Sequence, residues 1–331
     1  MSVGNLAIFI PLQGCPYQCI YCDQRKISGE GEMNPRRAAE ILQTQIPLWR
    51  ERRKRGQIAF FGGTFTGLPM DEMRGYLEAA RPYLLSGDVQ GIRISTRPDS
   101  IDEEKLLLLK EYGVTHIELG VQSLDDEVLR ASGRAYTASC VEQSAALIRH
   151  HGFTLGMQMM PGLPKDTAEK SLATARQIIK MGAAECRIYP TLVLRSTPLQ
   201  ALYAQGKYQP LSLDAAVELT ARLKELFISA GVNVLKVGLH SGMVEDDIVA
   251  GPYHPAFGQL VSSRICRDRL SAFVEAHSLY DTTLAVIPGE YDVSVILGQH
   301  RSNVTFFQDK YKIFLEISKK VLTNEYYSVI L

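Results

Sequence analysis

The sequence predicts an α/β chain: a partial, TIM-like (β/α)6 barrel followed by a small α/β appendage. Three observations carry this reading. Short apolar, β-branched runs alternate with longer amphipathic stretches, and the strand-then-helix unit recurs six times, the pattern of a parallel sheet covered by helices. Every irregular polar or glycine-bearing segment of the first 190 or so residues directly follows one of the apolar runs. Such segments therefore gather at the C-terminal ends of the strands, the end at which parallel α/β barrels build their sites.

In order, strands are expected over 6–12, 57–61, 91–95, 115–119, 153–160 and 185–189, with helices over 38–49, 70–84, 101–112, 140–151 and 167–181 between them. A further helix over 213–229 leads through Ala230-Gly231 to an added strand over 232–237. Residues 240–256 read as a polar loop, followed by a helix over 263–275, strands over 283–287 and 291–297, and a helix–strand pair reaching 317. The expected domains are therefore 1–240, the barrel, and 241–331, the appendage.

The chain has 331 residues and a formal charge of zero, its 36 Lys and Arg balancing 36 Asp and Glu. No global field points to a nucleic acid, although a local basic patch stays open. With neither a secretory signal nor an apolar run long enough to span a bilayer, a cytoplasmic, reducing location with no membrane partner is expected.

The most informative residues are Cys15, Cys19 and Cys22, in a Cys-x-x-x-Cys-x-x-Cys spacing on the loop after the first strand. Three thiolates on one short loop suit a 4Fe–4S cluster. They leave one of four irons with an open position, where the amino and carboxylate groups of S-adenosylmethionine (SAM) can chelate. Reductive cleavage of SAM to a 5′-deoxyadenosyl radical is the chemistry such a cluster supplies. A structural zinc site is the competing reading. It wants a fourth protein ligand, and no His or further Cys follows before His116. Cys140, Cys186 and Cys266 stand singly among apolar or small neighbours and read as buried thiols.

Gly62, Gly63 and Thr64 end the second strand, where bare backbone can approach the methionine amino group; alone, a Gly-Gly is only a turn. Ser95, Thr96 and Arg97 end the third strand and offer hydroxyls for the ribose and a fork for the carboxylate. The competing reading of Arg97 is a surface salt bridge beside the turn at Pro98-Asp99. Gln122, Arg134, Gln158 and Tyr21 complete the expected SAM-binding set, with a structural amide the equal alternative for Gln122. Catalytic side chains beyond these are not assigned. The run Arg50 to Arg55 is expected to be a solvated helix end. In the appendage, Gly298-Gln299-His300-Arg301 is a Gly-led basic turn that resembles the backbone-clamping turn of KH-type RNA binders, without its second glycine.

Taken together, the cysteine spacing and the segments Phe60 to Phe65, Thr96 to Asp99, Glu118 to Ser123, Met159 to Pro164 and Ile188 to Arg195 resemble the radical SAM domain of the Elongator catalytic subunit family. The resemblance covers roughly residues 5–240. It implies a radical SAM enzyme acting on a tRNA nucleoside, with tRNA and an electron donor such as flavodoxin or ferredoxin as partners. The acetyltransferase domain and extra zinc-binding cysteines of that family find no counterpart after residue 240, so a partner protein is expected to replace the domain. The related oxygen-independent coproporphyrinogen oxidases and haem chaperones leave two alternatives. One is a radical enzyme on a free, porphyrin-like or other small molecule, with His240, Tyr253 and His254 at the pocket. The other is a non-catalytic, cluster-bearing haem-delivery protein. For an RNA, Arg25, Lys26, Arg195, Lys207, Arg264, Arg267, Arg269 and Arg301 are the candidate phosphate contacts.

Overall fold

The structure is a computed structural model that describes residues 4–29, 31–52, 56–239, 245–289, 291–318 and, by backbone alone, 327–330. Its contacts divide the chain into two units, Met1–Ser212 with Leu226–Tyr253 and Leu213–Glu225 with His254–Leu331. The boundary expected at 240 itself lies outside the described residues.

The first unit repeats strand then helix: β1 (Gly4–Phe9), α1 (Gln24–Ser28), α2 (Pro35–Glu51), β2 (Gly56–Phe61), α3 (Met70–Leu85), β3 (Gly91–Thr96), α4 (Glu103–Glu111) and β4 (Val114–Gln122). It continues with α5 (Asp126–Ala131), α6 (Ala138–His150), β5 (Thr154–Met159), α7 (Ala168–Lys180), β6 (Glu185–Ile188), β7 (Val193–Leu194) and α8 (Pro198–Ala204). The division between units passes through α9 (Leu213–Ser229), after which β8 (Asn233–Val237) and β9 (Ile248–Ala250) belong to the first unit.

Seven strands form one sheet in the order β1-β2-β3-β4-β5-β6-β8, each pair parallel. The expected six-strand barrel core is thus present, and the added strand pairs in parallel with β6. Local sequence sets the helices between them. In α2, Ala38, Leu42 and Ile46 recur every four residues and are buried, the stripe that packs on a sheet. Asn34, Asp102 and Thr167 accept from the backbone amide of the third residue of α2, α4 and α7 and cap them.

The sheet curls. Strands β2 and β6 stand four spacings apart, roughly 19 Å in a flat sheet at about 4.8 Å each. Yet the Arg187 guanidinium of β6 lies 5.2 Å from the centre of the Phe61 ring of β2. Side chains of that length meet only if the sheet bends around them, which gives the partial barrel.

The second unit carries α10 (Phe257–Ala276), β10 (Thr283–Ile287), α11 (Val293–Leu297), α12 (Ser302–Tyr311), β11 (Phe314–Ile317) and β12 (Tyr327–Ile330). Its three strands run in the order β11-β10-β12, all pairs parallel. The core is apolar: Cys266, Leu270 and Val274 along one stripe of α10, with Leu284, Val286, Ile296 and Phe307.

Two expectations are corrected here. The strand expected over 291–297 is a helix, α11. A short run with Val293, Val295 and Ile296 fits either period, and the single buried position at Ile296 shows which won. The polar loop expected over 240–256 contains β9, which pairs antiparallel with β7; residues 240–244 lie outside the described residues.

Candidate active site

Parity along the strands decides which side chains enter the curl. Asn5, Ala7 and Phe9 of β1, Glu118, Gly120 and Gln122 of β4, and Arg187 with Tyr189 at β6 are alternate residues, and all line one cavity of about 350 Å³. That is within the range of small-molecule and cofactor sites. Every residue expected from the sequence to bind cluster or SAM lines the same cavity: Cys15, Cys19, Cys22, Tyr21, Gly62, Gly63, Thr64, Ser95, Thr96, Arg97, Gln122, Arg134 and Gln158. The structure brings all of them together.

The cysteine loop is held by backbone. Cys15 N–H donates to Leu12 O at 3.2 Å and Cys22 N–H to Cys19 O at 3.1 Å, while Ile20 bonds outward to Ser132 O and receives Leu199 N–H. Beneath the loop lies the Gly-Gly-Thr segment, with Thr64 N–H donating to Gln13 O at 2.8 Å. A Cβ on Gly63 would sit 2.4 Å from Gln13 O and 2.6 Å from Ile10 O, and one on Gly14 would sit 2.1 Å from Thr64 O. Both glycines let the two backbones touch, a packing role that the sequence reading, which saw only ligand approach, did not contain.

Each sulfur has a polar neighbour. Cys15 Sγ is 3.2 Å from Thr64 Oγ1, Gln24 Nε2 donates to Cys22 Sγ at 3.6 Å, and Arg97 Nη1 donates to Cys19 Sγ at 3.9 Å. Burial, with the Cys19 charge second, pushes the Cys22 thiol up to about 12, and burial also raises Cys15. Buried thiols of this kind become thiolates when a metal replaces the proton. No three His, Cys, Asp or Glu among the described residues close on a single-ion site. A cubane does not require that, because each cysteine would take a different iron.

Two guanidiniums stand beside the sulfurs. Arg97 is buried, not a surface residue, and its fork is occupied: Nε and Nη2 donate to the two carboxylate oxygens of Asp99 at 2.9 and 2.7 Å. Its guanidinium lies 4.8 and 5.4 Å from the centres of the Tyr17 and Tyr136 rings. Arg134 is also buried; it donates to Tyr21 Oη and to Gly120 O, both at 3.1 Å, and has no carboxylate partner among the described residues. A buried cation without a counter-ion is costly, so an anion bound on this side of the cavity would be stabilised. The donor set of three soft sulfurs with an unbalanced cation fits a thiolate-ligated cluster and a carboxylate ligand.

The remaining polar residues meet at strand ends. Thr96 Oγ1 is 2.6 Å from Thr66 Oγ1. A bulge in β4 between Gly120 and Gln122, with Gln122 at φ 66°, turns that side chain inward, where Gln158 Nε2 donates to its Oε1 at 3.1 Å. Of the residues named for a small-molecule pocket, His240 lies outside the described residues, Tyr253 packs against Leu192 and Leu194, and the His254 ring accepts from Ala256 N–H.

Deeper in the curl is a buried charge ladder that sequence reading missed. Arg93 pairs with Glu185 at 2.7 Å and Glu118 at 3.7 Å, and Arg187 Nε donates to Glu118 at 2.8 Å. Gln57 accepts from Arg93 Nε at 3.0 Å, and Arg187 Nη1 donates to Tyr189 Oη at 3.3 Å. The available signal was parity: these residues occupy the same alternate positions as Arg97, Gln122 and Gln158.

A parallel, curled α/β half-barrel with three cysteines after its first strand and a shared cavity at its C-terminal ends defines a cluster-based enzyme class. The chain belongs to the radical SAM superfamily, whose pattern matches residues 9–178, and the Radical_SAM C-terminal domain matches residues 183–267; it is a radical SAM enzyme. It is 33% identical over 186 residues to human (Homo sapiens) Elongator complex protein 3, covering 50% of this chain and 34% of that protein. It is 32% identical over 139 residues to the tRNA uridine(34) acetyltransferase of Dehalococcoides mccartyi (strain CBDB1), covering 41% of this chain and 30% of that protein. The match thus spans about a third of these curated relatives. Among solved structures, the archaeal Methanocaldococcus infernus Elp3 with an N-terminal deletion shares the fold at a TM-score of 0.62 and 18% identity, over 83% of this chain and 63% of that one. Escherichia coli coproporphyrinogen III oxidase (HemN) does so at 0.51 and 19%, over 69% and 53%. No helix among the described residues is long and apolar enough to cross a membrane.

Proposed function

We propose that Cys15, Cys19 and Cys22 hold a 4Fe–4S cluster, that the adjoining cavity binds SAM, and that the substrate is a nucleoside in tRNA. When bound, the cluster and SAM together supply reductive cleavage of a carbon–sulfur bond to a 5′-deoxyadenosyl radical. The observation that carries the reading is the convergence of all thirteen sequence-chosen residues on one cavity at the strand ends of a superfamily member.

The chain's own residues divide the work. The Gly62-Gly63-Thr64 backbone and hydroxyl border the sulfurs and receive the amino group. Arg134, whose charge no carboxylate offsets among the described residues, takes the SAM carboxylate. Arg97, already forked onto Asp99, places a second positive charge beside Cys19. Ser95, Thr96, Gln122 and Gln158 offer hydroxyl and amide groups to the ribose, and Tyr21 holds Arg134 in place. The charge ladder around Glu118 and Arg187 closes the far wall and keeps it rigid.

The substrate part rests on the relatives named for tRNA and Elongator. A reductant such as flavodoxin or ferredoxin and a protein supplying the acetyl-transfer step are the partners this reading requires, and a cytoplasmic location accompanies them. The test is anaerobic reconstitution with iron counting, followed by reduction with SAM and measurement of 5′-deoxyadenosine with and without bulk tRNA. Nucleosides of a deletion strain and its parent are then compared by mass spectrometry. Stimulation by tRNA and one missing modified nucleoside are expected; stimulation by haem or small metabolites alone would overturn the tRNA reading.

A further inference from the structure

The second unit contains a surface that the cavity chemistry does not use. Strands β10 and β11 are adjacent and parallel, and the crossover between them is a pair of helices, α11 and α12, joined by Gly298-Gln299-His300-Arg301. A strand–helix–turn–helix–strand unit with a Gly-led turn between its helices is the arrangement in which KH-type domains clamp a single-stranded backbone.

The turn is held from behind. Asn303 is buried, and its Nδ2 lies 3.1 Å from Ser263 O of α10 and 3.0 Å from Ile296 O of α11. One side-chain amide thus ties three helices together beneath the turn. Gly298 has φ 75°, and a Cβ there would sit 2.5 Å from Ser302 Oγ and 2.9 Å from Asn303 N, so the turn closes tightly on the start of α12. Arg301 stands where a second glycine would be expected, and it adopts the positive φ, 60°, that glycine supplies readily. The departure from the KH pattern therefore places a cation at a position whose backbone is left-handed.

Charge is arranged to match. His300, Arg301 and Ser302 are exposed, and neither His300 nor Arg301 has an ion-pair partner among the described residues. Arg267, one helical turn beyond Ser263 on α10, lies 4.8 Å from the Phe306 ring, itself one turn beyond Ser302 on α12. A stacked guanidinium and an aromatic thus lie one helical turn, ~5.4 Å along the axis, beyond Ser263 and Ser302. Among the other cations of the unit, Arg264 pairs with Glu218 and Asp268, Arg269 with Glu225 and Lys310 with Glu275, whereas Arg222 and Lys312 have no ion pair among the described residues. Arg301, exposed at the turn, and Arg267 also belong to the cations of the unit that no carboxylate offsets among the described residues.

We infer that the Gly298–Arg301 turn, with Arg267 and Phe306, is a docking surface for the sugar-phosphate backbone of single-stranded RNA. It goes beyond the cavity chemistry and rests on the tRNA reading only for the kind of nucleic acid. The pre-formed turn supplies the exposed Arg301, and Arg267, held against the Phe306 ring, adds a second cation for the backbone.

The test uses the full chain and a fluorescent single-stranded oligoribonucleotide, followed by anisotropy over a salt series. Wild type is expected to bind with an affinity that falls with salt. R267A/R301A should bind about tenfold or more weakly, with a log–log salt slope shallower by about 1.4, or 0.7 for each lost contact. Because Arg267 supports Phe306, R301E is measured beside it; its side chain is exposed, so its circular dichroism and melting should match wild type while binding falls. SAM cleavage without RNA should be unchanged in both. A salt slope equal to wild type in the double variant, or no binding by wild type, overturns the inference. So does equal loss of binding to polyglutamate with no preference for RNA, which would point to an acidic protein. If tRNA still stimulates 5′-deoxyadenosine formation after such a result, the substrate reading stands and only the docking surface falls.

Discussion

The seven-stranded and three-stranded sheets of this molecule are both parallel and both accompanied by helices, yet they use their interiors in opposite ways. Inside the first, Arg93, Glu118, Glu185 and Arg187 form a buried ladder of charge beside a cavity. Inside the second, Leu284, Val286, Ile296 and Phe307 pack against the apolar stripe of α10. Curvature explains the difference. A seven-stranded sheet that bends around its own side chains leaves space that apolar groups alone do not fill, and polar groups there can be satisfied by one another. A three-stranded sheet has only one sizeable core to offer and fills it with hydrocarbon. The unit with the cavity is the one that carries buried charge.

The sharpest way to break this comparison is to remove the ligands of the first unit. A triple Cys15/Cys19/Cys22→Ala variant should lose essentially all cluster iron and all SAM cleavage, while its far-UV circular dichroism stays that of wild type. Retention of iron would show that the cysteines are not the ligands.

Next in size are two stability probes, one for each interior. Glu118→Gln removes the carboxylate that faces two guanidiniums and should cost about 3–5 kcal/mol, the range for breaking a buried ion pair. Phe307→Ala should cost a similar 3–5 kcal/mol by leaving a cavity in the second unit. Denaturant melts read both. If Glu118→Gln proves neutral, the ladder is solvated and the contrast between the interiors is weaker than described.

Gly63→Ala tests the contact between segments. Its Cβ would meet two carbonyl oxygens closer than 3.0 Å, so the cysteine loop must shift, at about 1–3 kcal/mol for such overpacking. Iron content after reconstitution should fall below wild type. Arg97→Ala should give the smallest effect: cluster iron retained, and SAM bound roughly tenfold more weakly, about 1.4 kcal/mol, by equilibrium dialysis. Unchanged SAM affinity would assign Arg97 to Asp99 alone.

Much of this was legible in the sequence, for reasons that show where legibility stops. The six-fold alternation and the strand-end position of Cys15, Gly63, Arg97 and Gln122 depend only on local period and order, which a single sequence displays. The ladder did not show, because Arg93, Glu118 and Arg187 come from three strands and only the curl joins them. For Arg97 the sequence offers both a carboxylate-binding fork and a surface salt bridge at the Pro98-Asp99 turn; the salt bridge forms, with Asp99, but the guanidinium is buried. The sequence predicts a strand over 291–297 where α11 forms, since so short a run does not separate the two periods. Tyr21 and Arg134 were both placed in the site, but their hydrogen bond spans 113 positions and no spacing rule announces it.

The contact of Gly14 and Gly63 with carbonyl oxygens across the loop has a consequence for anyone rebuilding this site. The cysteine segment and the Gly-Gly-Thr segment, some fifty positions apart, are seated backbone against backbone with no side chain between them. They behave as a single machined part: neither can be exchanged, lengthened or grafted onto another scaffold unless its counterpart travels with it. A library that randomises one while holding the other fixed samples mostly mismatched halves.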